Sequence, residues 1–340
     1  MEKILTEILT LAKKYNKKTV FTIGIAPRKR EHDEIFFPFI RESSLFIIGN
    51  VEINKLEDAI EIVKIIDGII DYILVDDEKK SEMLLKLSRA VMANVKHSVV
   101  LTYKDNDAWI EATDMLVCQF LKDCLNKKVL IYTINDLSTK LALKLCERGC
   151  DVSLIDNNSP SQIELIINAL NYILPSQCPS KIEYLRELPR DNEYNVVIGF
   201  SIDKPIIDIV QIKQFSTDTI ILDAGIGSLS EDAIKYALEN NFNIFRLDMR
   251  AGLSGNIINA IETYDLKTNI YGRRKFEDFN IVAGGYFGLE GDIVVDSITA
   301  PTRVIGVADG KGHLMSSESM KSYVGRIKRV EHNLLNKIQK

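Results

Sequence analysis

The feature that most restricts this chain is a series of short, β-branched apolar segments separated by stretches of helical periodicity. Residues 129–132 (VLIY), 151–155 (DVSLI), 195–199 (NVVIG), 219–222 (TIIL) and 243–247 (NIFRL) read as strands. Residues 137–148, 162–173, 207–214 and 230–240 read as the helices between them, the last capped by Ser228 or Ser230 ahead of Glu231 and Asp232. Apolar runs this short suit strands buried on both faces, and parallel strands need helical crossovers of one hand. The pattern predicts an α/β chain with a doubly wound parallel sheet.

Upstream, 19–24 (TVFTIG), 45–48 (LFII), 72–75 (YILV) and 98–102 (SVVLT) read as further strands, with a helix at 56–66. They place a smaller α/β domain at residues 1–108. A connector helix spans 109–125, and a Rossmann-like dinucleotide-binding domain with a glycine-rich extension runs over 109–318. Within that extension, 280–285, 292–296 and 303–307 read as short strands. An amphipathic helix at 319–338 is expected to return across the first domain. With 340 residues, two domains are the default.

Composition narrows the class further. A net charge of −5 exerts no general pull on nucleic acid, and a single Trp with scattered tyrosines offers no stacking platform for it. No apolar run reaches the ~20 residues of a spanning helix, and the amphipathic start lacks the features of a secretory signal. Cys118, Cys124, Cys146, Cys150 and Cys178 are odd in number and lack CxxC spacing, so they read as reduced, buried residues of a cytoplasmic protein. The four histidines show no metal spacing, and no metal is expected. His32 reads as a surface residue and His313 as part of a flexible loop. Walker A and Gly-x-Ser-x-Gly strings are absent.

In a dinucleotide fold, pyrophosphate sits where the first strand turns into the first helix, over three glycines. Here that string is Thr133-Ile134-Asn135-Asp136-Leu137-Ser138, with Thr133, Asn135 and Ser138 at the glycine positions. Asp156 ends the next strand, where an acidic residue would bind an adenosine ribose and favour NAD over NADP. The opposing reading is a scaffold whose nucleotide binding is lost, with Asp156 merely opening a turn.

This layout resembles the amino-acid-dehydrogenase-like Rossmann superfamily, the group of shikimate and methylenetetrahydrofolate dehydrogenases, over about two-thirds of the chain. Residues 195–201 (NVVIGFS) and 219–227 (TIILDAGIG) look like the fourth and fifth strands of those enzymes. The resemblance implies a cofactor crevice lined by Gly199, Phe200, Ser201, Asp223, Ala224 and Gly225. Lys104-Asp105-Asn106-Asp107 is similar in position to the Asn-Thr-Asp element of shikimate dehydrogenases. That similarity implies catalysis by Lys104 and Asp107, with Lys79 and Lys80 as other candidate partners. On the residues alone, Asp105 or Asp107 equally serves as a helix cap.

Arg250, with Arg246 and Asp248, could grip an anion at the cleft mouth or form an internal salt bridge. Arg28, Lys29 and Arg30 offer a second basic turn, or simply a solvated one. The resulting expectation is an NAD(P)-dependent oxidoreductase acting on a small polar, anionic metabolite between two domains. The alternatives are a non-catalytic module binding a metabolite or partner, and a lyase or cyclase using NAD without net oxidation. The expected partner is a small-molecule substrate, with no nucleic acid and no membrane; self-association into a homo-oligomer is left open.

Overall fold

The computed structural model describes residues 1–25, 35–156, 160–189, 193–202 and 204–338. The basic turn Arg28–Arg30 and His32 lie outside them. Residues 1–257 form one compact unit and residues 258–340 another.

The first unit carries two sheets. One is built from β1 (Lys18–Ile25), β2 (Arg41–Glu42), β3 (Phe46–Ile53), β4 (Tyr72–Asp76) and β5 (Val99–Tyr103), in the order β2-β3-β1-β4-β5. All pairs are parallel except β2 with β3. Helices α1 (Glu2–Tyr15), α2 (Leu56–Ile66) and α3 (Leu84–Asn94) bury Ile8, Ile62 and Leu87 with Phe21, Ile23 and Ile73 of the sheet. Buried on both faces, these strands need no polar alternation, which is why they read as continuous apolar runs.

Helix α4 (Asp105–Leu121) leads into the second sheet. It begins four residues earlier than its apolar periodicity suggests, because Asp105 and Asp107 occupy its first turn, where negative charge suits the helix dipole. There follow β6 (Lys128–Tyr132), α5 (Asp136–Glu147), β7 (Asp151–Ile155), α6 (Pro160–Ile173), β8 (Ile182–Leu185), β9 (Val196–Gly199), α7 (Ile209–Ile212), β10 (Ile220–Asp223), α8 (Glu231–Glu239) and β11 (Asn243–Arg246). The order β8-β7-β6-β9-β10-β11 is the 3-2-1-4-5-6 arrangement of a dinucleotide fold.

Side chains alternate strictly in this sheet. Val129, Ile131, Val196 and Ile198 face α4, α5 and α6, while Leu130, Val197 and Ile221 face α7 and α8. Both faces are covered, so the sheet is doubly wound as predicted. Edge strand β8 adds to the predicted set; its Ile-Glu-Tyr-Leu sequence is half polar and carries no apolar run. All five cysteines are reduced, with Cys146 and Cys150 buried. Helix α9 (Arg250–Asp265) starts against α4 so closely that a Cβ on Gly252 would lie 2.1 Å from the Ala108 carbonyl oxygen.

The second unit holds β12 (Gly272–Phe276), β13 (Phe279–Ala283), β14 (Ile293–Val295) and β15 (Val304–Val307) in one sheet, and α10 (Val324–Ile338). Residues 258–318, expected as a glycine-rich extension of the dinucleotide domain, fall with the closing helix in this unit. Ile327, Val330 and Leu334 of that helix pack against Phe279, Ile281, Val295 and Val307 of its own sheet.

Candidate functional site

Strands 1 and 4 of a doubly wound sheet diverge at their carboxyl ends and leave a crevice. Here β6 and β9 open onto a cavity of about 500 Å³ in the first unit. One wall is Thr133, Asn135, Asp136, Phe200, Ser201, Ala224 and Gly225; the other is Lys80, Asp105, Asn106 and Trp109 from the edge of the first sheet. Ile25, Asp105, Trp109 and Ile226 also line a neighbouring cavity of about 810 Å³ that reaches Arg41, Arg246 and Arg250. The two cavities therefore form one cleft.

The loop over 133–138 closes on itself. Thr133 holds φ at +78°, the left-handed bend a glycine would otherwise supply. Asn135 Oδ1 accepts from the Leu137 and Ser138 backbone N–H groups at 3.0 and 2.9 Å, and the Asn135 N–H donates to Ser138 Oγ at 2.8 Å. This reciprocal capping box fills the helix N-terminus with protein groups. Asn135 Nδ2 donates to the Phe200 carbonyl at 3.2 Å, tying the loop to the end of β9. Asp156 accepts the Ile134 N–H at 2.6 Å, so its carboxylate is turned to this loop.

These contacts test the expected cofactor. A diphosphate at this position relies on the N–H groups of the first helical turn. Those of Ile134, Asn135, Leu137 and Ser138 already have partners, and the Asp136 carboxylate adds negative charge beside them. A dinucleotide does not fit this loop as it stands. The replacement of the glycines is legible in the sequence; the cap formed by Asn135 and Ser138 emerges only from the fold.

The opposite turns are stitched together. Ala224 and Gly225 both donate to the Gly199 carbonyl at 3.0 Å, and Ser228 Oγ accepts from the Ser201 N–H at 3.0 Å. A Cβ on Gly225 would lie 2.1 Å from the Ser201 carbonyl oxygen. Asp223 accepts from the Gly227 and Ser228 N–H groups at 3.0 and 3.3 Å, so it closes its own turn. Of the expected crevice residues, Phe200, Ser201, Ala224 and Gly225 line the cavity, whereas Gly199 and Asp223 stand behind them.

The expected catalytic pair lies elsewhere. Lys104 and Asp107 pair with each other, Asp107 also meets Lys140 at 3.4 Å, and neither lines the cleft. Helix phase is the reason. α4 starts at Asp105, so residue 105 faces the cleft and residue 107 turns toward α5. Asn106 Nδ2 donates to Asp136 at 3.0 Å and Lys144 meets Glu111 at 2.9 Å, which locks α4 against α5.

What does gather at the cleft is a group centred on Asp105. Asp76, at the end of β4, is 1% exposed and pairs with Lys80 Nζ at 3.0 Å. Lys80 stands 3.8 Å from Asp105 and 3.4 Å from Glu78. Burial, with the Asp76 and Glu78 charges, pushes the Asp105 carboxyl up to about 6 against the pull of Lys80. About a third of its side chain still meets solvent (32%), so protein crowds it while the cleft remains open to it. Burial opposes the charge on Lys80, but Asp105, Asp76 and Glu78 outweigh it and hold the amine above its ordinary value. Tyr103 is buried behind them, and burial keeps its phenol protonated well above the usual range.

Arg41, in the cleft wall, is lowered by burial, with Tyr103, Asp105, Asp248 and Glu52 opposing. Arg250 lines the cleft mouth, and its Nε donates to Asp248 at 2.7 Å, so both the internal ion pair and the cleft position hold for it. Among the described residues no His, Cys, Asp and Glu group could hold a metal, and no helix is long and apolar enough to cross a membrane.

No protein-family model matches the chain, and no curated protein sequence does. Solved structures share its layout distantly. A shikimate dehydrogenase in complex with NADP+ is 14% identical, with a TM-score of 0.42, covering 74% of this chain and 90% of its own. Aspartate transcarbamoylase from Trypanosoma cruzi is 10% identical, with a TM-score of 0.40, covering 68% and 82%. Ornithine carbamoyltransferase from Pyrococcus furiosus is 12% identical, with a TM-score of 0.40, covering 77% and 91%. At these values the likeness does not reach activity or ligands. The class defined by the chain's own strand order is a Rossmann-like α/β protein.

Proposed function

We propose that this protein is an enzyme that carries out acid–base chemistry on a small polar metabolite held in the cleft between its two parallel sheets, with Asp105 as the proton-transfer group. The observation that carries the reading is the placement of Asp105. It opens onto the cavity at the switch point of the second sheet, 3.8 Å from Lys80, whose nearest acid, Asp76, is buried and paired with it at 3.0 Å. A carboxyl near pH 6 can both accept and return a proton at neutral pH. Lys80 holds a positive charge beside it, which supports the ionised form as a proton is transferred away.

Incubating the protein with a metabolite extract, and following its components by mass spectrometry, tests this. The wild type should deplete at least one small polar component. Asp105→Asn should do so at least ~100-fold more slowly, the lower end of what a positioned acid–base group contributes. Equal rates would dismiss the proposal.

A second reading, the NAD(P)-dependent oxidoreductase of the amino-acid-dehydrogenase-like group, is favoured by the 3-2-1-4-5-6 strand order and by a cleft at the switch point. The capped α5 N-terminus counts against it. Trp109 lines both cavities, so its fluorescence reports a nicotinamide entering the cleft. Saturable quenching by NADH or NADPH would restore this reading, and a flat titration would remove it.

A further inference from the structure

The charges lining the larger cavity can be accounted for one by one. Glu42 is paired with Lys17 at 2.6 Å, Asp76 with Lys80 at 3.0 Å, and Asp248 with Arg250 at 2.7 Å. Glu52 has a partner of its own. Two guanidinium groups remain, Arg41 and Arg246, which make no ion pair with any described residue. Arg41 lies over the Phe39 ring at 4.9 Å, and a ring face leaves the edges of a guanidinium fork available for hydrogen bonds. Arg41 is half-buried, and Asp105, Asp248 and Glu52, whose charges offset part of that burial, make no ion pair with it. In the same cavity, Asp105 stands 3.8 Å from Lys80, the longest of these pairings.

From these two guanidinium groups, which line the cavity without an ion pair among the described residues, we infer that Arg41 and Arg246 form an anion-binding subsite. The cleft's ligand then carries a carboxylate or phosphate at one end and a hydrogen-bond donor, hydroxyl or amine, directed at Asp105. The inference rests on the proposed use of the cleft as a metabolite site and adds the chemical class of its ligand. Arg250, the residue expected from sequence for this role, is held by Asp248. Arg41 takes its place from a two-residue strand more than two hundred positions away.

Calorimetric titration with inorganic phosphate, succinate, L-malate and glycerol tests it on the full chain. At least one anion should bind, and the tighter of phosphate and succinate identifies the head group. L-Malate should bind more tightly than succinate, and glycerol should not bind. Arg41→Gln and Arg246→Gln should each weaken the anion at least about tenfold, as expected for loss of a charge-assisted hydrogen bond. Arg41→Lys, which keeps the charge and guards against misfolding, should fall between. Asp105→Asn should remove the advantage of L-malate over succinate and leave succinate unchanged. Unaltered anion affinity in both glutamine variants, glycerol binding as well as the anions, or no anion binding at millimolar concentration would each overturn the inference. The two readings fail separately. Anion binding lost in Arg41→Gln with full turnover in Asp105→Asn sinks only the proton-transfer role, whereas slow Asp105→Asn with unaltered Arg41→Gln sinks only the subsite.

Discussion

The carboxylate of Asp105 stands 3.8 Å from the ammonium of Lys80, which is itself bound at 3.0 Å to the buried Asp76. With Glu78 at 3.4 Å as well, one cation thus serves three acids. Asp105 is the farthest of the three, and burial together with the Asp76 and Glu78 charges pushes its carboxyl up to about 6.

Asp105 makes folding stability depend on pH. Its folded pKa is raised from 3.8 to about 6. Between roughly pH 4 and 6 the folded chain therefore keeps a proton that the unfolded chain releases. Its contribution is complete below that window and is lost as pH rises through it. Solvent screening reduces the effect to about 1 kcal/mol. Urea denaturation should show Asp105→Asn gaining stability relative to wild type as pH rises from 4 to 7.

Asn135 caps α5 and holds the loop that joins it to β6. Asn135→Ala removes the acceptor for two N–H groups and the link to Phe200. A loss of about 1 kcal/mol is expected, read as a lower urea midpoint. An unchanged midpoint would mean that the cap is not a stabilising element.

Arg148 covers a buried charge. It grips Asp114 with Nε at 2.8 Å and Nη2 at 2.7 Å, and Asp114 is 0% exposed. Arg148→Gln strands that carboxylate and should cost about 3 kcal/mol in denaturation. Adding Asp114→Asn to that variant removes the stranded charge and should recover part of the loss.

The thiols of Cys118 and Cys146 are each pushed up to about 12, chiefly by burial. At pH 8 the native protein should take up iodoacetamide at these two positions far more slowly than the unfolded chain, read by peptide mass spectrometry. Rapid labelling of the native protein would contradict their placement.

Much of the architecture is legible in the sequence because it rests on periodicity. The apolar strands of both sheets, Ser230 as the cap of α8 and the position of the cleft all follow from local patterns. Ile182–Leu185 and Gly272–Phe276 are not legible, since edge strands bearing Glu183, Arg273 or Lys275 lack the apolar run that marks a central strand. The resemblance points to Asp107, whereas Asp105 is the one of the two that lines the cleft. Asp105 and Asp107 are indistinguishable until the first turn of α4 is fixed, because a helix rotates about 200° over two residues. Lys80 is among the candidate partners, but only the fold brings it beside Asp105. Arg41 carries no signal, being set in the cleft by a short antiparallel strand.

The central claim is tested most directly by following the carboxyl carbon of Asp105 by NMR across pH, in the free protein and with L-malate filling the cleft. The account predicts a midpoint near 6 in the free protein that moves when the ligand binds. A midpoint near the ordinary aspartate value of about 3.9, indifferent to ligand, would contradict it.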